Sequence, residues 1–166
     1  MNIFKFAMKK EKFSEDYYRQ LAQKTGNKGL KNICNMLANE ESKHYKIVEQ
    51  MSQEVPAKIA GTSILSRAKD IFEKMREATE KFDIDISELE LYQKARDIET
   101  ESMNFYLEKS EQVEDVRQKK IFKKLADEEQ KHFILLDKLC DFVAQPKWFL
   151  ENAEMYRFDD YADGTL

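Results

Sequence analysis

The chain has only two histidines, and each follows a glutamate by three residues: Glu41-Ser42-Lys43-His44 and Glu129-Gln130-Lys131-His132. On a helix, residues three apart share one face, with about 5–6 Å between their Cβ atoms. A carboxylate and an imidazole held that way can grip one cation together. Two such grips, with one more carboxylate from each of two other helices, make the ligand set of a dinuclear iron or manganese site inside a four-helix bundle. No other feature narrows the fold so far, because it requires four helices to bring side chains to one level.

The pattern is written twice. His44 and His132 lie 88 residues apart, and the same shift carries Leu37-Ala38 onto Leu125-Ala126 and Glu40-Glu41 onto Glu128-Glu129. Upstream it carries Ala7, Glu11, Ser14, Tyr17 and Tyr18 onto Ala95, Glu99, Ser102, Phe105 and Tyr106. Glu11 precedes Glu41 by 30 residues, as Glu99 precedes Glu129. A duplicated helical hairpin accounts for all of these matches.

A length of 166 residues suits one domain with a sizeable core. With 36% charged residues, four glycines and two prolines, the composition favours long helices with solvated outer faces. The net charge of −4 offers no basic footprint for nucleic acid. No apolar run approaches the roughly 18 residues of a membrane span, and the N-terminus lacks the apolar block of a signal peptide. Cys34 and Cys140 make no disulfide framework and read as buried free thiols. The expected setting is cytoplasmic.

The expected architecture is all-α. A first helix spans residues 3 to about 24, with Phe6, Phe13, Tyr17 and Leu21 as its apolar stripe. Thr25-Gly26-Asn27 marks a stop and restart. The second helix runs from 28 to 53, with Leu30, Ile33, Leu37, Ile47, Val48 and Met51 inward, and Pro56 closes it. Glu11 and Glu41 lie equally far from Gly26, roughly 22 Å at about 1.5 Å per residue, so a hairpin there brings them level. The third helix starts near Ser87, with Glu90 completing a capping box, and the fourth runs from 116 to 144 behind an Asp115 N-cap until Pro146 ends it.

Hairpins 3–53 and 87–144 are thus expected to be joined by a crossover, 54–86, containing an extra helix from Ser63 to about Phe82. Together residues 1–145 make one bundle. Residues 146–166, rich in aromatics (Trp148, Phe149, Tyr156, Phe158, Tyr161), form a tail that docks on the bundle or on a partner subunit.

Glu11, Glu41, Glu99 and Glu129 would all point into one interior, where uncompensated carboxylates cost several kcal/mol each. Two divalent cations cancel that charge. Imidazole nitrogens suit iron or manganese better than calcium or magnesium, and zinc prefers a closed tetrahedral set, commonly with thiolates. The metal ligands expected are therefore Glu11, Glu41, His44, Glu99, Glu129 and His132, holding two iron ions, with manganese as the other candidate. Tyr18 and Tyr106 fall seven residues after Glu11 and Glu99, within reach of a site carboxylate; plain core tyrosines are the other reading. Glu40 and Glu128 can accept a proton from the opposite helix's histidine, or face solvent.

These motifs resemble the rubrerythrin branch of the ferritin-like superfamily. They are Ala7-x-x-x-Glu11-x-x-Ser14-x-x-Tyr17-Tyr18, Asn39-Glu40-Glu41-x-x-His44, Ala95-x-x-x-Glu99-x-x-Ser102-x-x-Phe105-Tyr106 and Asp127-Glu128-Glu129-x-x-His132. The resemblance covers residues 3 to about 144. It implies a ferritin-like four-helix bundle in which Glu41 and Glu129 bridge two metals, Glu11 and Glu99 are terminal ligands, and His44 and His132 complete one iron each. Rubrerythrins also carry a rubredoxin-like site of two Cys-x-x-Cys pairs, which this chain lacks, and a further glutamate where Ser102 stands.

The implied function is a non-haem di-iron protein that reduces hydrogen peroxide or oxygen in oxidative-stress defence, drawing on an external electron donor protein. It is expected to form a homodimer and to bind neither nucleic acid nor membrane. Ferroxidase and iron storage, a non-enzymatic metal binder, and a di-manganese catalase are the rival readings.

Overall fold

Asn2 starts the first helix in the computed structural model, its side chain accepting from Phe4 N at 2.7 Å. Residues 2–78 and 84–158 are described. Helix α1 (Ile3–Lys24) ends at Thr25, and Asn27 restarts the chain by capping Leu30 N, at 2.9 Å, at the head of α2 (Lys28–Ser52). The Thr25-Gly26-Asn27 signal therefore works through Asn27 as well as through a break in the helix.

The end of α2 is a Schellman turn built without glycine. Val55 N bonds Gln50 O at 2.9 Å, Glu54 N bonds Met51 O at 3.2 Å, and Glu54 takes the left-handed conformation at φ 58°. The chain then runs without regular structure to α3 (Ile64–Glu77), α4 (Leu89–Gln112), α5 (Val116–Ala144) and α6 (Pro146–Glu151). No strand occurs among the described residues. Asp115 caps α5, accepting from Arg117 N and Gln118 N at 2.8 and 3.0 Å.

Two expectations about boundaries need correction, and a third is extended. The crossover helix stops at Glu77 with Ala78 extended, short of Phe82, which lies outside the described residues. No Ser87–Glu90 capping box forms. Asp85 takes the cap, accepting from Ser87 N at 2.9 Å, and a single 3-10 turn (Ile86–Glu88) leads into α4. Pro146 does more than end α5: it opens α6, where its missing N–H costs nothing.

α1 packs along α2 and α4 along α5, so each half of the repeat is one hairpin, and the two hairpins face each other. Two apolar clusters fill the interior. One contains Leu21, Leu30, Ile33, Leu37, Leu135 and Leu139; the other contains Ala7, Val48, Met51, Phe105, Phe122 and Leu125. On each of the four long helices the residues between these clusters are the acidic and imidazole positions of the repeat.

The crossover helix lies on the bundle, against α2, α5 and α6. Phe72 of α3 is the hub, with ring centroids 5.3 Å from Phe142, 5.0 Å from Phe149 and 5.9 Å from Tyr156. The tail therefore docks on its own bundle up to Phe158, with Phe149, Tyr156 and Phe158 buried and Trp148 exposed; Tyr161 is outside the described residues.

The stripe expected on α1 is rotated. Phe6 and Phe13 are 42% and 56% exposed and Tyr17 is half-buried, so the expectation that they face the core is overturned. The buried face is Ala7, Glu11, Ser14, Tyr18 and Leu21, one residue further round the helix. Leu21 alone belongs to both.

Candidate metal centre

Each long helix delivers its share of the centre from the layer between the apolar clusters: Glu11 from α1, Glu41 and His44 from α2, Glu99 from α4, Glu129 and His132 from α5. All six are buried, none more than 2% exposed. They form two quartets, Glu11–Glu41–His44–Glu129 and Glu41–Glu99–Glu129–His132, each offering ligand atoms within 4.8 Å of one another. Glu41 and Glu129 belong to both.

His44 Nδ1 lies 2.7 Å from Glu129 Oε1, 3.4 Å from Glu41 Oε2 and 3.6 Å from Glu11 Oε2. His132 Nδ1 lies 3.2 Å from Glu41 Oε1, 3.5 Å from Glu99 Oε1 and 3.8 Å from Glu129 Oε2. The imidazoles stack with centroids 5.6 Å apart and planes 12° from parallel. Each histidine thus turns Nδ1 toward the carboxylates of both hairpins.

Two tyrosines cross the seam between hairpins. Tyr18 of α1 donates to Glu99 Oε1 of α4, and Tyr106 of α4 donates to Glu11 Oε1 of α1. Burial, and then the carboxylate charges around them, raise both phenols well above their usual range, so they stay protonated donors.

Glu40 and Glu128 do not bond the histidines. The Thr62 hydroxyl donates to Glu40 Oε1, and Lys43 Nζ lies 3.8 Å from Glu40 Oε2. Glu128 Oε2 and His132 Nε2 are both buried without a hydrogen-bond partner. Thr62 is the contact that sequence reasoning missed, because the crossover has no counterpart in the repeat to mark it.

Electrostatics set the protonation of the metal-free centre. Glu41 and Glu129 stand well above the usual carboxylate range, chiefly through desolvation and then through facing carboxylates. Glu11 and Glu99 are desolvated too, yet end below it. For Glu11 the hydrogen bond from Glu41 and the charge of His44 outweigh burial; for Glu99 the charge of His132 and the hydrogen bond with Glu129 do so. Burial opposes charging the imidazoles, but Glu11 and Glu129 raise His44 well above its ordinary value, and Glu99 raises His132 to about 9.

A cation fits this donor set. Apart from contacts with one another's carboxyls, Glu11 Oε2, Glu41 Oε2 and Glu99 Oε2 are buried with no hydrogen-bond partner, one on each of three helices. Such orphaned oxygens are costly unless something positive meets them. Four carboxylates and two neutral imidazoles also match two divalent ions in charge and suit iron or manganese in type.

The sequence profile of the family described as Rubrerythrin matches residues 2–140. No curated protein matches the chain. Among solved structures, a hypothetical protein from Pyrococcus furiosus is similar, at 23% identity and a TM-score of 0.66, covering 87% of this chain and 90% of the other. At that identity the likeness speaks for the fold alone.

Proposed function

The chain belongs to the rubrerythrin family, and on that premise we propose that it is a non-haem di-iron redox protein that reduces hydrogen peroxide or oxygen with electrons from an external donor protein. The observation that carries this reading is the sharing of Glu41 and Glu129 between two buried quartets. That arrangement suits two metal ions held side by side with an imidazole each.

The residues divide the work. Glu41 and Glu129, common to both quartets, would hold both ions, and Glu11 and Glu99 would hold one each, with Tyr106 and Tyr18 fixing their orientation. Two ferrous ions, when bound, supply the two electrons that convert one peroxide and two protons to two waters. The apolar clusters on either side shield the carboxylates along the bundle axis and lower the local dielectric. With manganese in place of iron the same ligands would serve, and metal analysis of native protein separates the two.

No helix among the described residues is long and apolar enough to cross a membrane. A cytoplasmic homodimer working in oxidative-stress defence completes the reading, and sedimentation tests the dimer. The activity is tested by adding stoichiometric peroxide to the anaerobic ferrous protein and following its absorption. Oxidation within the mixing time supports the proposal; a protein that stays ferrous contradicts it.

A further inference from the structure

One candidate ligand reaches an open cavity. His44 turns Nδ1 to the carboxylates, yet the same residue lines a cavity of about 410 Å³ between α2, α5 and the segment leading into α3. His132 is its partner under the repeat, yet is fully buried and lines neither this cavity nor the groove between α1 and α4. The duplicated hairpins are therefore unequal: the crossover follows only the first, and its residues 58–63 form one wall of the opening.

The lining is charged in layers. Glu128 lies inside with His44, its Oε2 buried and unpartnered. Lys43, Lys46, Lys58 and Arg67 are exposed lining residues. Lys43 leans toward Glu40, but Lys46, Lys58 and Arg67 have no ion-pair partner among the described residues. On a chain of net charge −4, three unpaired cations around one mouth form a local field of the opposite sign. No Phe, Tyr or Trp among the described residues lines the cavity to stack a flavin or nicotinamide ring, so among them a ring-bearing small reductant finds no platform.

We propose that this mouth is the docking surface for an acidic one-electron carrier protein, which passes its electrons to the metal centre through His44. The inference rests on the redox reading above, and it names where the external donor acts. The chain's two cysteines, Cys34 and Cys140, are separate buried thiols and offer no iron–sulfur ligand set. Two carriers are oxidised for each peroxide reduced. Electron-transfer encounters are small and steered by charge, so a few cations around an imidazole edge suffice.

The test uses an acidic [2Fe–2S] ferredoxin as probe, bound to the full metal-loaded chain, with carbodiimide cross-linking mapped by mass spectrometry. Cross-links are expected at Lys43, Lys46 and Lys58. Affinity should fall with added salt, and by at least about tenfold in K46E/R67E. A K28E/K31E control at the far end of α2 should bind like the parent. Cross-links elsewhere, or equal affinities in K46E/R67E and parent, overturn the proposal. Saturable inorganic phosphate binding lost in K46E/R67E, with ferredoxin affinity unchanged, overturns it in favour of a small-anion site. Peroxide added to dithionite-reduced protein separates the two readings. Inert protein that still binds ferredoxin at this mouth defeats the redox function alone; reactive protein with insensitive ferredoxin binding defeats the docking surface alone.

Discussion

Tyr106 of α4 donates its phenol hydrogen to Glu11 of α1, so a residue of the second hairpin orients a candidate ligand of the first. Tyr18 does the reverse for Glu99. The duplication has thus produced a reciprocal lock, in which neither half of the centre is held by its own hairpin alone.

Tyr106→Phe removes this donor and leaves a buried carboxylate oxygen without a partner. Metal affinity should fall about 10- to 100-fold, as for other groups that orient a ligand. The metal-free protein should lose about 1.5–3 kcal/mol, typical of a hydrogen bond to a charged group. Tyr18→Phe should match it by symmetry. Equilibrium metal titration and chemical denaturation measure both; an unchanged metal affinity would show that the phenols are passive core.

Loading should release protons. In the metal-free centre burial and facing carboxylates favour the protonated forms of Glu41 and Glu129, and the carboxylates favour both imidazoliums, whereas ligation needs all four deprotonated. Binding of divalent ions at neutral pH should therefore release protons, His132 contributing one of them. Calorimetry in buffers of different ionisation enthalpy counts them. Affinity should rise with pH, the share owed to His132 being complete once it has lost its proton near 9. Release close to zero would contradict the protonation pattern.

Metal-free stability should run the other way. His132 is charged up to about 9 in the fold but only to about 6.5 when unfolded. Its contribution is complete below about 6.5 and is lost as pH rises through about 9. The raised values of Glu41 and Glu129 act in the same sense, because an unfolded carboxyl ionises more readily. The Tm of metal-free protein should fall from pH 6.5 to 9, while the loaded protein should not follow. A Tm that rises over that range would contradict the assignment.

Phe72 joins the crossover helix to α5 and to the docked tail. Phe72→Ala should cost about 3–5 kcal/mol, as for other fully buried phenylalanines. It should also expose the segment from α6 onward to limited proteolysis before the bundle unfolds. Loss of stability without earlier cleavage of the tail would show that Phe149 and Tyr156 hold it unaided.

The candidate ligands were legible because duplication marked them, and the long-helix limits because Asn27 and Asp115 are plain caps. The facing of α1 is masked in the sequence for a reason rooted in the site itself. A metal centre puts Glu11 and Ser14 on the inner face, so a search for apolar residues slides to Phe6, Phe13 and Tyr17. The correction was present in the repeat, since Ala7, Glu11, Ser14 and Tyr18 meet Ala95, Glu99, Ser102 and Tyr106, the buried faces of both helices. The Thr62–Glu40 bond had no such marker, and the head of α4 turned on Asp85, two residues before the serine that fits a capping box.

The most direct test of the account is anomalous scattering from a crystal of metal-loaded protein. Two peaks about 3.5–4 Å apart are expected, both flanked by Glu41 and Glu129, one beside His44 and the other beside His132. A single peak, or ions bound away from these two glutamates, would contradict it.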